Sequence, residues 1–150
     1  MDMAGRSFTF VSGAGSPLSG HLEPPEGTPR GWAIFAHCFT CGKDSRAAVY
    51  ISRALSRAGI GVLRFDFAGT GISGGSGEPV SFASDVEDLR AAAKAMAAAG
   101  MSPSLLVGHS LGGTAAIVAA ADMPDIAAVA TIGAPADLQH ILRLFGPNDL

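Results

Sequence analysis

The sequence predicts an α/β fold with a mostly parallel sheet, and three observations carry this prediction. From Gly31 onward, short apolar runs alternate with helix-length segments, the pattern of parallel strands joined by crossover helices. The 150 residues are 48% hydrophobic and only 15% charged, which is enough apolar chain for one buried core. Neither a repeat nor a linker divides the chain. We therefore expect residues 1–150 to form one domain of about six strands with helices on both faces.

The first half of the chain predicts an antiparallel hairpin followed by two parallel strands. The predicted strands are residues 8–11, 18–22, 31–36 and 60–65. Gly, Ser and Pro residues at 12–17 supply turn chemistry between the first two strands. Asp44 or Ser45 can cap a helix that runs to about Ala58, where Gly59 ends it.

The second half predicts three helices alternating with two strands. The elements expected here are a helix with residues 82, 86, 89, 93 and 96 on its apolar face, a strand at 105–108, a helix at 111–123, a strand at 126–132 and a helix from about 137. Ser84 and Glu87 have capping-box spacing, at the start of the first of these helices or one turn inside it. Gly100 closes that helix, and Pro124 stops the next one.

The most informative motif is Gly108-His109-Ser110-Leu111-Gly112. An apolar strand precedes it and an Ala-rich helix follows it, which is the order that a nucleophile elbow requires. In such a turn the flanking glycines leave room where a Cβ would clash, and the serine hydroxyl is lifted clear of the sheet. The helix N-terminus behind the serine supplies N–H groups for a developing oxyanion.

Composition and charge argue against several classes of protein. A net charge of −3 without a basic cluster gives no basis for nucleic-acid binding. The N-terminus lacks the layout of a signal peptide, so we expect a cytoplasmic protein. Residues 95–121 contain no charged side chain, but Gly100, Pro103 and Gly108 interrupt them, so we expect no membrane span.

Two other motifs suggest competing functions. Gly69 to Gly74 matches a dinucleotide-binding Gly-x-Gly-x-x-Gly, but further Gly-rich residues separate it from the next helix, which favours a loop that Asp66 ties down. Cys38-Phe39-Thr40-Cys41 has the spacing of a thiol redox pair, and His37 could join both cysteines in a metal site. The simplest interpretation leaves the two cysteines as small, semi-buried thiols.

Two further histidines have plainer predicted roles. His109 cannot fold back onto Ser110 from within the elbow, so we expect it to pack beside the site. Asp137 and His140 are three positions apart and predict a surface pair on one helix.

Three segments together resemble the α/β-hydrolase family. They are Ala36-His37-Cys38-Phe39, the stretch from Arg64 to Ser73, and Gly108 to Gly113. More narrowly, residues 37–44 and 132–137 resemble bacterial hydrolases that are often fused ahead of an OsmC-like domain. The resemblance implies that Ser110 is the nucleophile and that the backbone N–H groups of Leu111 and Phe39 form the oxyanion hole.

The resemblance also implies an N-terminal portion of a hydrolase. The family places its acid and histidine after the serine, and His140 is the only histidine beyond Ser110. We therefore expect a serine hydrolase for an ester, thioester or amide of a small substrate, without cofactor or metal. The expected activity of residues 1–150 alone is negligible, because the acid and the histidine would come from a fused or missing C-terminal segment. The alternatives are a redox protein that uses Cys38 and Cys41, or a non-catalytic fragment.

Overall fold

The computed structural model of the chain describes residues 5–38, 41–68 and 81–144, and this part contains six strands and four helices. The strands are β1 (Arg6–Val11), β2 (Pro17–Glu23), β3 (Gly31–Ala36), β4 (Ile60–Phe65), β5 (Leu105–His109) and β6 (Ala128–Ile132). The helices are α1 (Arg46–Arg57), α2 (Phe82–Ala98), α3 (Leu111–Ala120) and α4 (Leu138–Leu144).

All six strands form one sheet in the order β1-β2-β4-β3-β5-β6. β1 and β2 are an antiparallel hairpin, and β2 also pairs antiparallel with β4. The other pairs are parallel, namely β3 with β4, β3 with β5, and β5 with β6. The predicted α/β fold with a mostly parallel sheet is therefore confirmed.

The core has two layers because successive strand residues point to opposite faces of the sheet. On one face Ile34, Leu63 and Leu106 pack with residues of α2 and α3. On the other face Phe35 and Val107 pack beneath α1. Helices therefore cover both faces of the sheet. The packing of their apolar sides against the strands holds the strand ends in place. In the described part of the chain, none of the helices combines the length and apolar character needed to cross a membrane.

Predicted boundaries hold where local signals are strong. β3 and β4 begin and end at the predicted residues, and the Ser45 hydroxyl caps α1 by accepting the Ala48 N–H at 3.3 Å. The cap of α2 is Ser81, which exchanges hydrogen bonds with Ser84, so the predicted Ser84–Glu87 spacing lies one turn inside the helix.

The connection between α3 and β6 is longer than predicted. Single-turn bonds, such as that from Met123 N–H to the Ala120 carbonyl at 3.1 Å, end the helix before Pro124. β6 accordingly begins at Ala128 and not at Ile126.

β6 forms one edge of the described sheet. The order ends at β6, and most of its residues are exposed, including Ile132 at 45%. Ile117 and Val118 on α3 are also exposed. This side of the fold therefore presents exposed apolar side chains on both β6 and α3.

Candidate active site

The turn between β5 and α3 carries Ser110 in a strained conformation. Its φ is 55° and its ψ is −126°, and among the described residues it alone has a positive φ without being glycine. Such a conformation costs on the order of 1–3 kcal/mol in a residue with a Cβ. The Ser110 N–H donates to the Ile132 carbonyl at 2.8 Å, and its own carbonyl accepts from Gly113 at 2.9 Å. The predicted strand–turn–helix geometry is therefore confirmed.

The glycines on each side of Ser110 are required by close backbone approach. A Cβ on Gly112 would lie 2.2 Å from the His37 carbonyl oxygen and 2.4 Å from that of Ala36. A Cβ on Gly108 would lie 2.3 Å from the Gly113 Cα. The first turn of α3 thus packs directly on the end of β3, which brings the turn and the loop after β3 together.

This meeting point is the place where the strand order reverses. β3 lies between β4 and β5 in the sheet. The chain passes from β3 to β4 on one side and then crosses over to β5 on the other side of β3. The loops that follow β3 and β5 at their carboxyl ends open a crevice between them, and ligands bind in such crevices of open α/β sheets. Ser110 lies half-buried at this switch point.

His37 holds the loop after β3 by means of its ring. It is only 2% exposed, its Nδ1 donates to the Cys38 carbonyl at 2.6 Å, and its Nε2 accepts the Phe67 N–H at 3.2 Å. Burial lowers the pKa of His37, which favours the neutral ring that these two bonds require. Since both nitrogens are engaged, His37 is not available as a base or as a metal ligand, which argues against the alternative that groups it with the two cysteines in a metal site.

A largely buried network of charges, with Asp44 at its exposed end, braces the same loop. The Asp66 carboxylate accepts the backbone N–H of Lys43 at 2.8 Å, and the Lys43 ammonium lies 3.6 Å from Asp66 and 2.7 Å from Asp44. Arg64, itself buried, pairs with Glu23 at 3.1 Å. Asp66 therefore ties the loop after β3 to the end of β4. The prediction that Asp66 ties down the Gly-rich segment concerns residues from 69 onward, which lie outside the described residues.

Two carboxyl groups at the start of α2 were not predicted. Asp88 accepts the Ala68 N–H at 3.0 Å, and burial raises its pKa to about 6. Burial, and then the neighbouring charge of Asp88, raises the pKa of Asp85 to about 7. The signal in the sequence is their spacing, which places both acids beside Val86 and Leu89 on the inward side of the helix.

The two cysteines are joined in a disulfide bridge, so the expectation of free thiols is wrong. The Cys41 N–H donates to the Cys38 carbonyl at 3.1 Å, and this turn brings the two Cα atoms to 5.1 Å, within the range of disulfides. His109 approaches the pair, and its ring nitrogen and the two sulfurs all lie within 4.8 Å of one another. His109 therefore faces the loop after β3, beside the site as predicted.

The other predicted site residues are placed as follows. Leu111 is the first residue of α3, where a backbone N–H has no acceptor within the helix. Phe39 lies outside the described residues. Asp137 accepts the Gln139 N–H at 2.9 Å and caps α4, and both Asp137 and His140 are exposed. The predicted surface location of these two residues is confirmed, although Asp137 precedes the helix.

The dinucleotide motif at residues 69–74 also lies outside the described residues. The next helix that the structure describes, α2, begins at Phe82.

A cavity of about 290 Å³ lies between α2 and the connection from α3 to β6. Arg90, Lys94 and Asp122 line it together with Ser102 and Pro103, which precede β5. Ser110 follows β5 at the opposite end of that strand, roughly 16 Å away at the ordinary rise per residue. This cavity is therefore separate from the switch point.

The parallel sheet, the strained strand-to-helix turn and its place at the switch point define a protein of the α/β-hydrolase class. The family model described as serine aminopeptidase, S33, matches residues 27–146. The chain belongs to that family.

Solved structures show the same relationship. The esterase domain of a Rhodothermus marinus protein is 44% identical, with a TM-score of 0.76 over 93% of this chain and 54% of that one. A lidless α/β serine hydrolase from Xanthomonas campestris is 26% identical, with a TM-score of 0.79 over 91% of this chain and 64% of that one. An esterase from Pyrococcus furiosus, 20% identical with a TM-score of 0.82 over 96% of this chain and 56% of that one, shares the fold.

The chain spans little more than half the length of the Rhodothermus and Pyrococcus proteins. A search of curated proteins finds no match. The thiol-redox alternative finds no support among these relatives.

Proposed function

We propose that this chain carries the nucleophile and oxyanion site of a serine hydrolase that cleaves an ester, thioester or amide of a small molecule. The observation that carries the proposal is the strained Ser110 at the switch point of the sheet. Backbone strain of this kind persists only where the surroundings enforce it, and here Gly108 and Gly112 allow the packing that does so.

The proposed reaction gives each of these groups a role. The Ser110 oxygen attacks the carbonyl carbon while a base takes its proton, and the carbonyl oxygen becomes negatively charged. The Leu111 N–H, at the positive end of α3, stabilises that charge together with the Phe39 N–H. The leaving group departs with the proton, and water then releases the acyl group from Ser110 by the same steps in reverse order.

The base and its acid are not among the described histidines and their neighbours. Both nitrogens of His37 are bonded to backbone groups, His109 faces the cysteines, and His140 is exposed on α4. We infer that a longer form of the protein supplies them, which agrees with the fraction of the esterase domain that this chain spans. A fused OsmC-like domain and a cytoplasmic location stay predictions.

The test compares hydrolysis of p-nitrophenyl esters by residues 1–150 and by the longest form that the source gene encodes. The longer form should turn over, and Ser110→Ala should lower its kcat by about a million-fold, as loss of the serine does in a serine protease. Residues 1–150 should show no measurable turnover, since without a base the serine stays a neutral hydroxyl.

A fluorophosphonate probe identifies the nucleophile independently of turnover. Labelling of the longer form should map to Ser110 and disappear in Ser110→Ala. The exposed Ser102, at the other end of β5, gives the matched control Ser102→Ala, which should label like the wild type. Labelling that survives Ser110→Ala would overturn the proposal, and a longer form that neither labels nor turns over would favour the non-catalytic alternative.

A further inference from the structure

The loop after β3 and the end of β5 bring three metal-ligand side chains together at the switch point. Cys38 and Cys41 lie on the loop after β3, and His109 ends β5. Their two sulfurs and a ring nitrogen all lie within 4.8 Å of one another. Cys38 is buried, whereas Cys41 and His109 are half-buried, so the cluster is enclosed on one side and reachable from solvent on the other.

The geometry points to a binding site for a thiophilic divalent cation such as Zn²⁺, formed by Cys38, Cys41 and His109 when the disulfide is reduced. Two thiolates and an imidazole are a set of ligands that Zn²⁺ accepts, with the fourth position left for water. Ligands on one tetrahedral Zn²⁺ lie about 3.7 Å apart, given Zn–S and Zn–N bonds of about 2.3 and 2.0 Å. The ring nitrogen lies within 4.8 Å of both sulfurs, and opening the bridge lets the two sulfurs, which are bonded to each other in the disulfide, move apart to this separation.

Bridge and metal exclude each other because both use the same two sulfurs. A dithiol reductant breaks the S–S bond, gives two electrons and two protons to the sulfurs and becomes a disulfide itself. Zn²⁺ then forms two Zn–S bonds and one Zn–N bond to a neutral imidazole, and the two thiol protons leave to solvent. Metal binding at this site therefore depends on whether the surroundings keep Cys38 and Cys41 reduced.

The other histidine near this loop does not compete for the role. His37 is adjacent to Cys38, but both of its nitrogens are bonded to backbone groups. The position of His109 next to Ser110 also means that an occupied site joins the nucleophile turn to the loop that carries Phe39. This link to hydrolysis rests on the proposed function, whereas metal binding does not.

The experiment measures Zn²⁺ affinity of the full chain, carried on a solubility partner whose own binding is subtracted. A phosphine reduces the bridge and is itself oxidised to its oxide with oxygen from water. Zn²⁺ is then titrated in competition with a chromophoric chelator, and Co²⁺ serves as the spectroscopic probe of thiolate ligation. We expect about one ion per reduced chain, and none for the oxidised chain or for Cys38→Ser with Cys41→Ser.

The variant His109→Gln separates the three-ligand site from simple chelation by two cysteines. It should weaken Zn²⁺ binding by more than the roughly 10- to 100-fold that loss of a supporting residue costs. The exposed His140 provides the control, and His140→Gln should bind like the wild type. Wild-type affinity in His109→Gln, or equal affinity in the reduced chain and the double Ser variant, would overturn the proposal.

A second readout does not depend on a measured affinity. Zn²⁺ should protect Cys38 and Cys41 of the reduced wild type from alkylation, as followed by mass spectrometry. The same cysteines in His109→Gln should stay reactive at that Zn²⁺ concentration. Equal protection in the two proteins would contradict the assignment of His109 as a ligand.

Discussion

The turn after β5 and the loop after β3 meet at one point but are held by different means. The turn is fixed by backbone geometry, with glycines packed against carbonyl groups around a strained Ser110. The loop is fixed by side chains, namely the His37 ring, the carboxylate of Asp66 and the Cys38–Cys41 bridge. A site built in these two ways should respond to steric changes on one side and to protonation and redox changes on the other.

The largest expected effect comes from filling the space at Gly112. Gly112→Ala places a Cβ against two backbone carbonyls of the β3 end, which cannot rotate away. We expect a loss of about 4–5 kcal/mol in the free energy of unfolding, at the upper end for single substitutions, measured by urea denaturation. Gly13→Ala is the control, because nothing lies within 4 Å of its Cβ position. Equal free energies of unfolding for the two variants would show that the backbone around Gly112 can shift to accept a Cβ.

A smaller loss is expected on the loop side from His37→Phe. The variant fills the space but leaves the buried Phe67 N–H and Cys38 carbonyl without their ring partners. Each unsatisfied group costs about 1–3 kcal/mol, so we expect a total of about 3 kcal/mol. His140→Gln should cost almost nothing.

The pH dependence of the His37 contribution has a definite sign. Because the folded pKa lies below the ordinary 6.5, the unfolded chain binds the proton more readily. The contribution of His37 is therefore complete above pH 6.5 and declines as the pH falls below that value. Thermal melts of the wild type and His37→Phe should converge as the pH falls through this range, and a constant difference would contradict the assignment.

Ser110→Gly should stabilise the turn while removing the proposed nucleophile. Glycine adopts the positive φ without the Cβ clash, so relief of strain outweighs its greater freedom in the unfolded chain. Ser110→Ala removes the same hydroxyl but keeps the Cβ, and it is the matched comparison. We expect the free energy of unfolding of Ser110→Gly to exceed that of Ser110→Ala by about 1 kcal/mol. If Ser110→Ala is the more stable variant, as alanine usually is relative to glycine, the turn is not strained.

A further effect, which shows only as a pH dependence, concerns Asp85 in the first turn of α2. Its pKa is raised to about 7 from 3.8, so the folded chain binds this proton more tightly than the unfolded one, and stability falls as the pH rises from about 4 to 7. Asp85→Asn should raise the Tm above pH 7 and leave it unchanged below pH 4. Glu87→Gln, at an exposed position two residues beyond Asp85 on α2, should show no such dependence.

The two regions also differ in how well the sequence predicts them. The turn follows from local order, since Gly108, Ser110 and Gly112 stand between a strand and a helix, and β3 and β4 follow from short apolar runs. The loop depends on partners far apart in the chain, such as Lys43 and Asp66 at a separation of 23 residues. No local sequence pattern predicts such pairs. Whether Cys38 and Cys41 form a disulfide likewise depends on their geometry as well as on their spacing.

β6 affects how the chain behaves in concentrated solution. Its five residues, Ala-Val-Ala-Thr-Ile, carry no charge and no proline, and it is an outermost strand of the described sheet. Natural edge strands discourage intermolecular pairing with lysine, proline or a bulge, and neither of these two residue types occurs in β6. Ile117, Val118 and Ile132 add apolar surface on the same side. Residues 1–150 should therefore self-associate as concentration rises, so that colloidal stability is limited by one strand while the interior stays well packed.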